Sequence, residues 1–253
     1  MERTIRLVRE EHADEPALDT AISRAMLLPA SEGRLDETFR LHTPGRAVAF
    51  GKRDTIDPGY RSAVAAARSA GFVPVERIAG GRAAVFHEGT LAFSWTIPTP
   101  DARTGIRDRF RSLAELNVRA LRRLGVPAQV GEVDGEYCPG EWSVNAGGRV
   151  KLMGVGQRLA RGAAHVGGVV VVSDAPLVNT VLGPVYQALG LSFRPEATGA
   201  VEDVVGGVTN AEVAAAVEAE VHLLGRVLDT RIDRATLSRA RRVIPEHLPS
   251  ASL

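Results

Sequence analysis

The sequence predicts an α+β fold with a mixed, largely antiparallel sheet and flanking helices. Three observations carry this. Residues 108–124 and 210–228 repeat apolar side chains at helical spacing. Short alternating or Val-rich runs between residues 38 and 172 read as strands. Some of those runs are joined by tight glycine turns and others by single helices, so they cannot all be parallel, which disfavours a plain doubly wound sheet.

In chain order, Ile5 and Leu7 alternate with Arg6 and Val8 as an opening strand. Residues 16–28 follow as a helix, with Ala17, Leu18, Ala21, Ile22, Ala25 and Leu28 on one face and Asp14 as its N-cap. Residues 38–42 alternate as a half-buried strand, and 47–51 read as a buried strand after the Pro44-Gly45 turn. An Ala-rich helix over 63–70 stops at Gly71, and 73–77 form another short strand. Residues 83–87 and 90–97 read as two strands joined through Glu88-Gly89. The clearest helix spans 108–124 and ends at Gly125. Gly147-Gly148, between Trp142-Ser143-Val144 and Val150-Lys151-Leu152, reads as the two-residue turn of a hairpin. Residues 166–172 form a Val-rich strand and 176–189 a helix. A second long helix over 210–228 is capped by Asn210 or Thr209, and 236–244 close the chain as a short helix.

With 253 residues, no internal repeat and no low-complexity linker, residues 1–253 are expected to form one domain. Apolar residues at 45% and charged residues at 24% are ordinary for a globular protein. A formal charge of +1 argues for neither nucleic acid nor an anionic membrane as partner. The N-terminus is charged and lacks a signal-peptide core, and the apolar run 166–172 is too short to span a bilayer. A single cysteine forms no internal disulfide, which fits a reducing, cytoplasmic location.

Phosphate-loop, dinucleotide-binding, zinc-protease and paired-cysteine signatures are absent, and the six histidines show no metal-ligand spacing, so no metal site is expected. Three glycine-bearing clusters remain. The first joins Arg77 to Gly80-Gly81 and His87-Glu88-Gly89, the second spans 138–158 and the third 162–168. A Gly-Gly pair is commonly just a turn, but Arg77 beside it adds an anion-binding reading. His87 and His165 show no partner in the sequence and read first as structural histidines. Cys138 leaves two readings open. Lone cysteines often serve as small buried hydrophobes. Alternatively, Pro139-Gly140 sets the thiol on a turn, and the hairpin folds Lys151 towards it, where a cation favours the nucleophilic thiolate.

Taken together, Arg77-x-x-Gly80-Gly81-x-x-x-Val85-x-His87-x-Gly89-x-Leu91-x-x-Ser94 and Gly148-x-x-Lys151-x-x-Gly154-x-x-Gln157-Arg158 resemble the two signatures of the lipoate–protein ligase and octanoyltransferase superfamily. The resemblance implies a biotin/lipoate-ligase-like α+β catalytic domain whose mixed sheet forms an open tunnel for an acyl chain. Arg82 at the third glycine position, and Cys138-Pro139-Gly140 ahead of the lysine motif, are closer to the cysteine-dependent octanoyl/lipoyl amidotransferases. Those enzymes take an acyl group from the glycine-cleavage H protein and pass it to E2 subunits.

On that resemblance Cys138 attacks the acyl carbonyl to form a thioester, while Lys151 stabilises the oxyanion and the thiolate. Arg77, Gly80, Gly81, Val85, His87, Gly89, Gly154, Gln157 and His165 bind substrate, with Val85, Leu91 and Phe93 along the acyl chain. Lys151, His165 and His87 are the candidates for general base. No cofactor is implied. The alternative is an ATP-dependent lipoate ligase, which would use ATP and Mg²⁺ to make lipoyl-AMP and leave Cys138 incidental. A third reading is a non-catalytic binder of the acyl chain or of a lipoyl domain.

Overall fold

The computed structural model describes residues 3–250. The chain opens with strand β1 (Thr4–Val8), helix α1 (Pro16–Ser31) and strands β2 (Thr38–His42) and β3 (Ala47–Phe50). Helices α2 (Lys52–Thr55) and α3 (Tyr60–Ser69) lead to β4 (Val73–Glu76), β5 (Ala84–Phe86) and β6 (Thr90–Pro98). Helix α4 (Ile106–Arg123) precedes β7 (Ala128–Val130), β8 (Val144–Ala146), β9 (Val150–Ala160) and β10 (Ala163–Val171). The C-terminal part holds α5 (Ala175–Ala188), α6 (Val201–Val205), α7 (Asn210–His222), β11 (Arg226–Asp229) and α8 (Arg234–Val243).

Eight strands form one sheet in the order β11-β1-β2-β6-β10-β9-β8-β7, and three form a second in the order β4-β3-β5. Among the named strands, parallel pairing joins β1 to β2 and β11, and β3 to β4. The other pairs run antiparallel, as the hairpin turns require. Leu113, Leu116 and Leu121 of α4 and Val213 and Val217 of α7 pack with Phe39, Trp95, Val166 and Val170 of the large sheet. Fully burying each of these side chains stabilises the fold by about 1.5–3 kcal/mol. The small sheet packs through Val48, Phe50 and Val85 onto Tyr60 and Val64 of α3 and Val178 and Val181 of α5.

The expected helices and strands are present, with differences at their ends. Helix α1 runs past residue 28 through Pro29, and Glu15 rather than Asp14 occupies its N-cap, with Pro16 in the first turn. Strands β5 and β6 belong to different sheets, so Glu88-Gly89 links two layers instead of turning within one. The long C-terminal helix stops at His222, and Val227 belongs to β11, which pairs with β1. Val221, Leu224 and Val227 continue the helical spacing by coincidence. Between them, a Cβ at Gly225 would stand 2.3 Å from the Arg3 carbonyl oxygen, so only glycine lets β11 settle beside β1. Thr209 caps α7, its side chain accepting from the Glu212 N–H in a reciprocal capping box. The short elements α2, β7 and α6 carry too little periodicity to be read from sequence.

The hairpin that matters for the site is confirmed. Gly147 and Gly148 take φ of +57° and +72°, and the Arg149 N–H donates to the Ala146 carbonyl at 3.1 Å. Positive φ at both central positions is what a two-residue hairpin turn demands. A register shift opposite Val144 and Asn145 leaves Leu152 as an extra residue beside Lys151. Bulges of this kind re-aim a side chain next to a site.

Candidate active site

Cys138 lies in the connection between β7 and β8, with φ of +44°. A left-handed backbone is uncommon for a residue with a Cβ, and Pro139-Gly140 makes the tight turn that holds it there. The Cys138 N–H donates to Tyr186 Oη at 2.8 Å, and that hydroxyl donates to the Ala83 carbonyl at 3.1 Å. Cys138 Sγ accepts the Arg82 N–H at 3.1 Å and lies 3.7 Å from Arg77 Nη2. Arg77 Nη2 also donates to the Arg82 carbonyl at 2.7 Å, which ties the 77–82 loop beneath the sulfur. Gly81, at φ +101°, is required here, since a Cβ would stand 2.4 Å from Arg77 Nη2 and 2.9 Å from Sγ. Burial pushes the Cys138 thiol up, but the Arg77 and Lys151 charges and the Arg82 N–H outweigh it and hold the thiol below its ordinary value. The site favours a thiolate.

Lys151 rises from β9 into the same place. Its Nζ contacts Glu136 Oε1 at 2.9 Å, the Tyr137 carbonyl at 2.9 Å and the Cys138 carbonyl at 2.8 Å, which engages all three of its protons. The ammonium also sits 4.9 Å from the centre of the Tyr137 ring. Lys151 and Glu136 side chains are 1% and 0% exposed, so each charge depends on the other. Glu136 is the hub of the turn. Its Oε1 also accepts from Ser143 Oγ at 2.5 Å and the Gly140 N–H at 3.2 Å, and its Oε2 accepts the Val133 N–H at 2.9 Å. The lysine therefore binds the cysteine loop through its carbonyls, while the carboxylate holds both ends of that loop.

Two neighbouring cavities share part of their lining. The first encloses about 830 Å³ of empty space, including its open mouth, and is lined by Cys138, Lys151, Arg77, Gly80, Gly81, Gly154 and Gln157 among others. The second holds about 740 Å³ of empty space, again including its open mouth, and is walled mainly by apolar groups, including Ala47, Ala49, Val75, Ala79 and Phe93. Both are lined by Arg77, Phe86 and Gly168. Glycines leave the sheet bare along this path. A Cβ at Gly156 would stand 3.1 Å from the Gly80 carbonyl oxygen, and one at Gly168 would strike the Gly154 carbonyl at 1.9 Å.

Most residues singled out from the sequence converge. Arg77, Gly80, Gly81, Cys138, Lys151, Gly154 and Gln157 share the first cavity, and His165 lines the second. Burial and the nearby Arg40 charge push His165 down to about 4, so its ring is neutral. Others fall elsewhere. Val85 turns into the core behind β5 while Ala84 and Phe86 face the cavities, because successive strand side chains point to opposite faces. Leu91 likewise packs in the core, and Phe93 reaches the cavity. His87 and Gly89 line neither cavity. His87 Nδ1 accepts the Gly89 N–H at 3.0 Å, which makes the histidine part of its own turn. Of the three candidate bases, only Lys151 shares a cavity with Cys138. Glu136, Tyr186 and the Arg82 N–H were not singled out from the sequence, and neither were Asp19 and His42 in the second cavity. No local signal in the sequence pointed to any of them.

Residues 15–221 match the family of the lipoyl protein ligase A/B catalytic domain. The chain is 30% identical over 146 residues to an octanoyl-[GcvH]:protein N-octanoyltransferase of Geobacillus kaustophilus, covering 58% of this chain and 51% of that one. It is 30% identical over 165 residues to the protein of the same name from Kyrpidia tusciae, covering 65% and 56% of the two chains. The chain thus spans about half the length of the curated relatives it matches. Among solved structures, lipoate-protein ligase A bound with ATP superposes with a TM-score of 0.78 at 21% identity, covering 97% of this chain and 95% of the other. A bi-partite lipoate protein ligase from Thermoplasma acidophilum, described with its E2 lipoyl domain, gives 0.76 at 20% identity, covering 96% and 93%. These structural likenesses show a shared fold.

Proposed function

Because the chain belongs to the lipoyl protein ligase A/B catalytic domain family, we propose that it is an acyltransferase that moves an octanoyl or lipoyl group through a thioester on Cys138. The observation that carries this reading is the setting of Cys138 Sγ. It accepts the Arg82 N–H at 3.1 Å, lies beside Arg77, and opens into the cavity that Lys151 lines. The name shared by the relatives supports an octanoylated GcvH, the glycine-cleavage H protein, as donor and a protein as acceptor; the acceptor class proposed with it is the lysine of a lipoyl domain, such as those of E2 subunits.

In the first step the Cys138 thiolate attacks the acyl carbonyl and the S–C bond forms; as the tetrahedral intermediate collapses the C–N bond breaks, and the donor lysine leaves as an amine with a proton from Lys151. Lys151 has no uncommitted proton in the resting arrangement. It releases its bond to the Cys138 carbonyl and donates that proton to the developing oxyanion. In the second step the acceptor amine attacks the thioester and gives up its proton to Lys151, the C–S bond breaks and the thiolate returns. The acyl group passes from amide to thioester to amide, so this route asks for neither ATP nor a metal. Residues 1–253 act as one catalytic unit, and a free thiol is kept by a reducing compartment such as the cytoplasm.

The test is transfer from octanoylated H protein to an unmodified lipoyl domain without ATP. Transfer is expected for the wild type and absent from Cys138→Ala. Activity that survives Cys138→Ala and needs ATP and Mg²⁺ replaces this reading with the ligase. Removing an oxyanion donor costs roughly a hundredfold or more in rate, which is the expected effect of Lys151→Ala.

A further inference from the structure

The residue whose N–H reaches Cys138 Sγ is itself anchored on a different element. Arg82 Nη1 pairs with Asp54 Oδ1 at 3.2 Å, and the Asp54 side chain is 0% exposed. Asp54 lies in α2, where its Oδ2 accepts the Gly51 N–H at 2.9 Å and so fixes the carboxylate to the first turn of that helix. That turn presses on the 77–82 loop, since a Cβ at Gly51 would stand 2.0 Å from the Gly81 carbonyl oxygen. Arg82 is therefore held at both ends of its backbone and at its tip. Its N–H is on Sγ at 3.1 Å, its carbonyl accepts from Arg77 Nη2 at 2.7 Å, and its guanidinium is on Asp54. A buried carboxylate is costly unless it is paired. This one is paired with the residue that touches the sulfur.

An N–H fixed on Sγ favours the thiolate over the thiol, and the bond weakens steeply as its distance and angle drift. We propose that Asp54 is a positioning residue for Cys138, holding Arg82 by its guanidinium so that the Arg82 N–H stays on Sγ. A glycine at position 82 would offer the same N–H with no side chain for Asp54 to hold. The other groups that face Cys138 are Arg77, Lys151 with its partner Glu136, and the phenols of Tyr137 and Tyr186. Burial holds both phenols above their ordinary value, so they stay neutral. The use of the thiolate in acyl transfer rests on the transferase reading. The positioning does not.

The test is the pH profile of Cys138 alkylation by iodoacetamide in the whole protein, for the wild type, Asp54→Asn and Arg82→Met. Asp54→Asn keeps an acceptor for the Gly51 N–H and removes the ion pair, while Arg82→Met keeps the backbone N–H. Each is expected to raise the midpoint by at least about half a pH unit. Removing a negative charge would by itself lower a thiol's midpoint, so a rise in Asp54→Asn reports lost positioning. A thermal melt confirms folding. If Asp54→Asn does not fold, Arg82→Met decides in about 1 M salt, where the bare loss of a charge is screened. An unchanged or lowered midpoint in Asp54→Asn overturns the proposal, and so does a rise that Arg82→Met does not share. Raised midpoints in a protein that never forms an octanoyl thioester uphold the positioning and remove the transferase reading. A thioester on Cys138 with unmoved midpoints does the reverse.

Discussion

Glu136 and Lys151 should be coupled far more strongly than two neighbouring polar residues usually are. The carboxylate accepts from Lys151 Nζ, Ser143 Oγ and the N–H groups of Val133 and Gly140, and both side chains are buried. Glu136→Gln leaves the ammonium without its counter-charge, and Lys151→Met leaves the carboxylate without its own. Breaking one partner of a buried pair costs about 3–5 kcal/mol. That is a large part of a typical stability of roughly 5–15 kcal/mol. The double variant removes both charges and keeps similar volumes, so it loses mainly neutral hydrogen bonds, each worth about 1 kcal/mol. Its cost should fall below the sum of the single variants by at least about 2 kcal/mol. Urea denaturation of the four proteins, with slopes compared to confirm two-state unfolding, measures the cycle. Additivity within about 0.5 kcal/mol would refute the idea that this pair anchors the cysteine loop.

Three further outcomes follow from the geometry. The pH profile of Cys138 alkylation should have its midpoint below that of a free thiol, and Arg77→Met should move it upward, because the guanidinium outweighs part of the burial effect. An unchanged midpoint in Arg77→Met would remove Arg77 from that role. Gly81→Ala forces a side chain against Arg77 and Sγ, so it should slow Cys138 alkylation at least about tenfold and leave the far-UV spectrum unaltered. Burial raises Asp19, but His42 and Arg40 together hold it at about 2, against an ordinary value of 3.8. Since its folded value is depressed, Asp19 contributes about 2 kcal/mol of stability above pH 4, lost as pH falls through 2. Wild-type stability minus that of Asp19→Asn should shrink across this window, and a constant difference would contradict the assignment.

The pairing of Lys151 with the cysteine loop was legible because its parts are sequence-local. Gly147-Gly148 could only be a tight turn with positive φ, and that turn brings Lys151 back to the 136–138 segment. Gly80-Gly81 after Arg77 reads in the sequence as a turn or an anion-binding loop; in the structure the Arg82 N–H that follows donates to Cys138 Sγ, and a Cβ at Gly81 would stand 2.9 Å from that sulfur. What the sequence hides is contact between distant segments. Glu136 is one of 30 acidic residues, and nothing in its neighbours shows that it is buried on a lysine. Tyr186 reaches Cys138 from a helix 48 residues away. Asp19, His42 and His165 meet only because β2 and β10 flank β6 in the sheet and α1 packs across them. Val85 was assigned to the cavity because a motif names positions without giving the face of the strand on which each one lies.

The most direct measurement is the location of the acyl group during turnover. The protein should be mixed with octanoylated H protein in the absence of ATP, quenched in acid within the first turnover and digested for mass spectrometry. A hydroxylamine-labile octanoyl group on the peptide containing Cys138, chased onto the lipoyl-domain lysine when acceptor is added, is the predicted result. Octanoylation of the acceptor with no acyl group ever on Cys138 would contradict it.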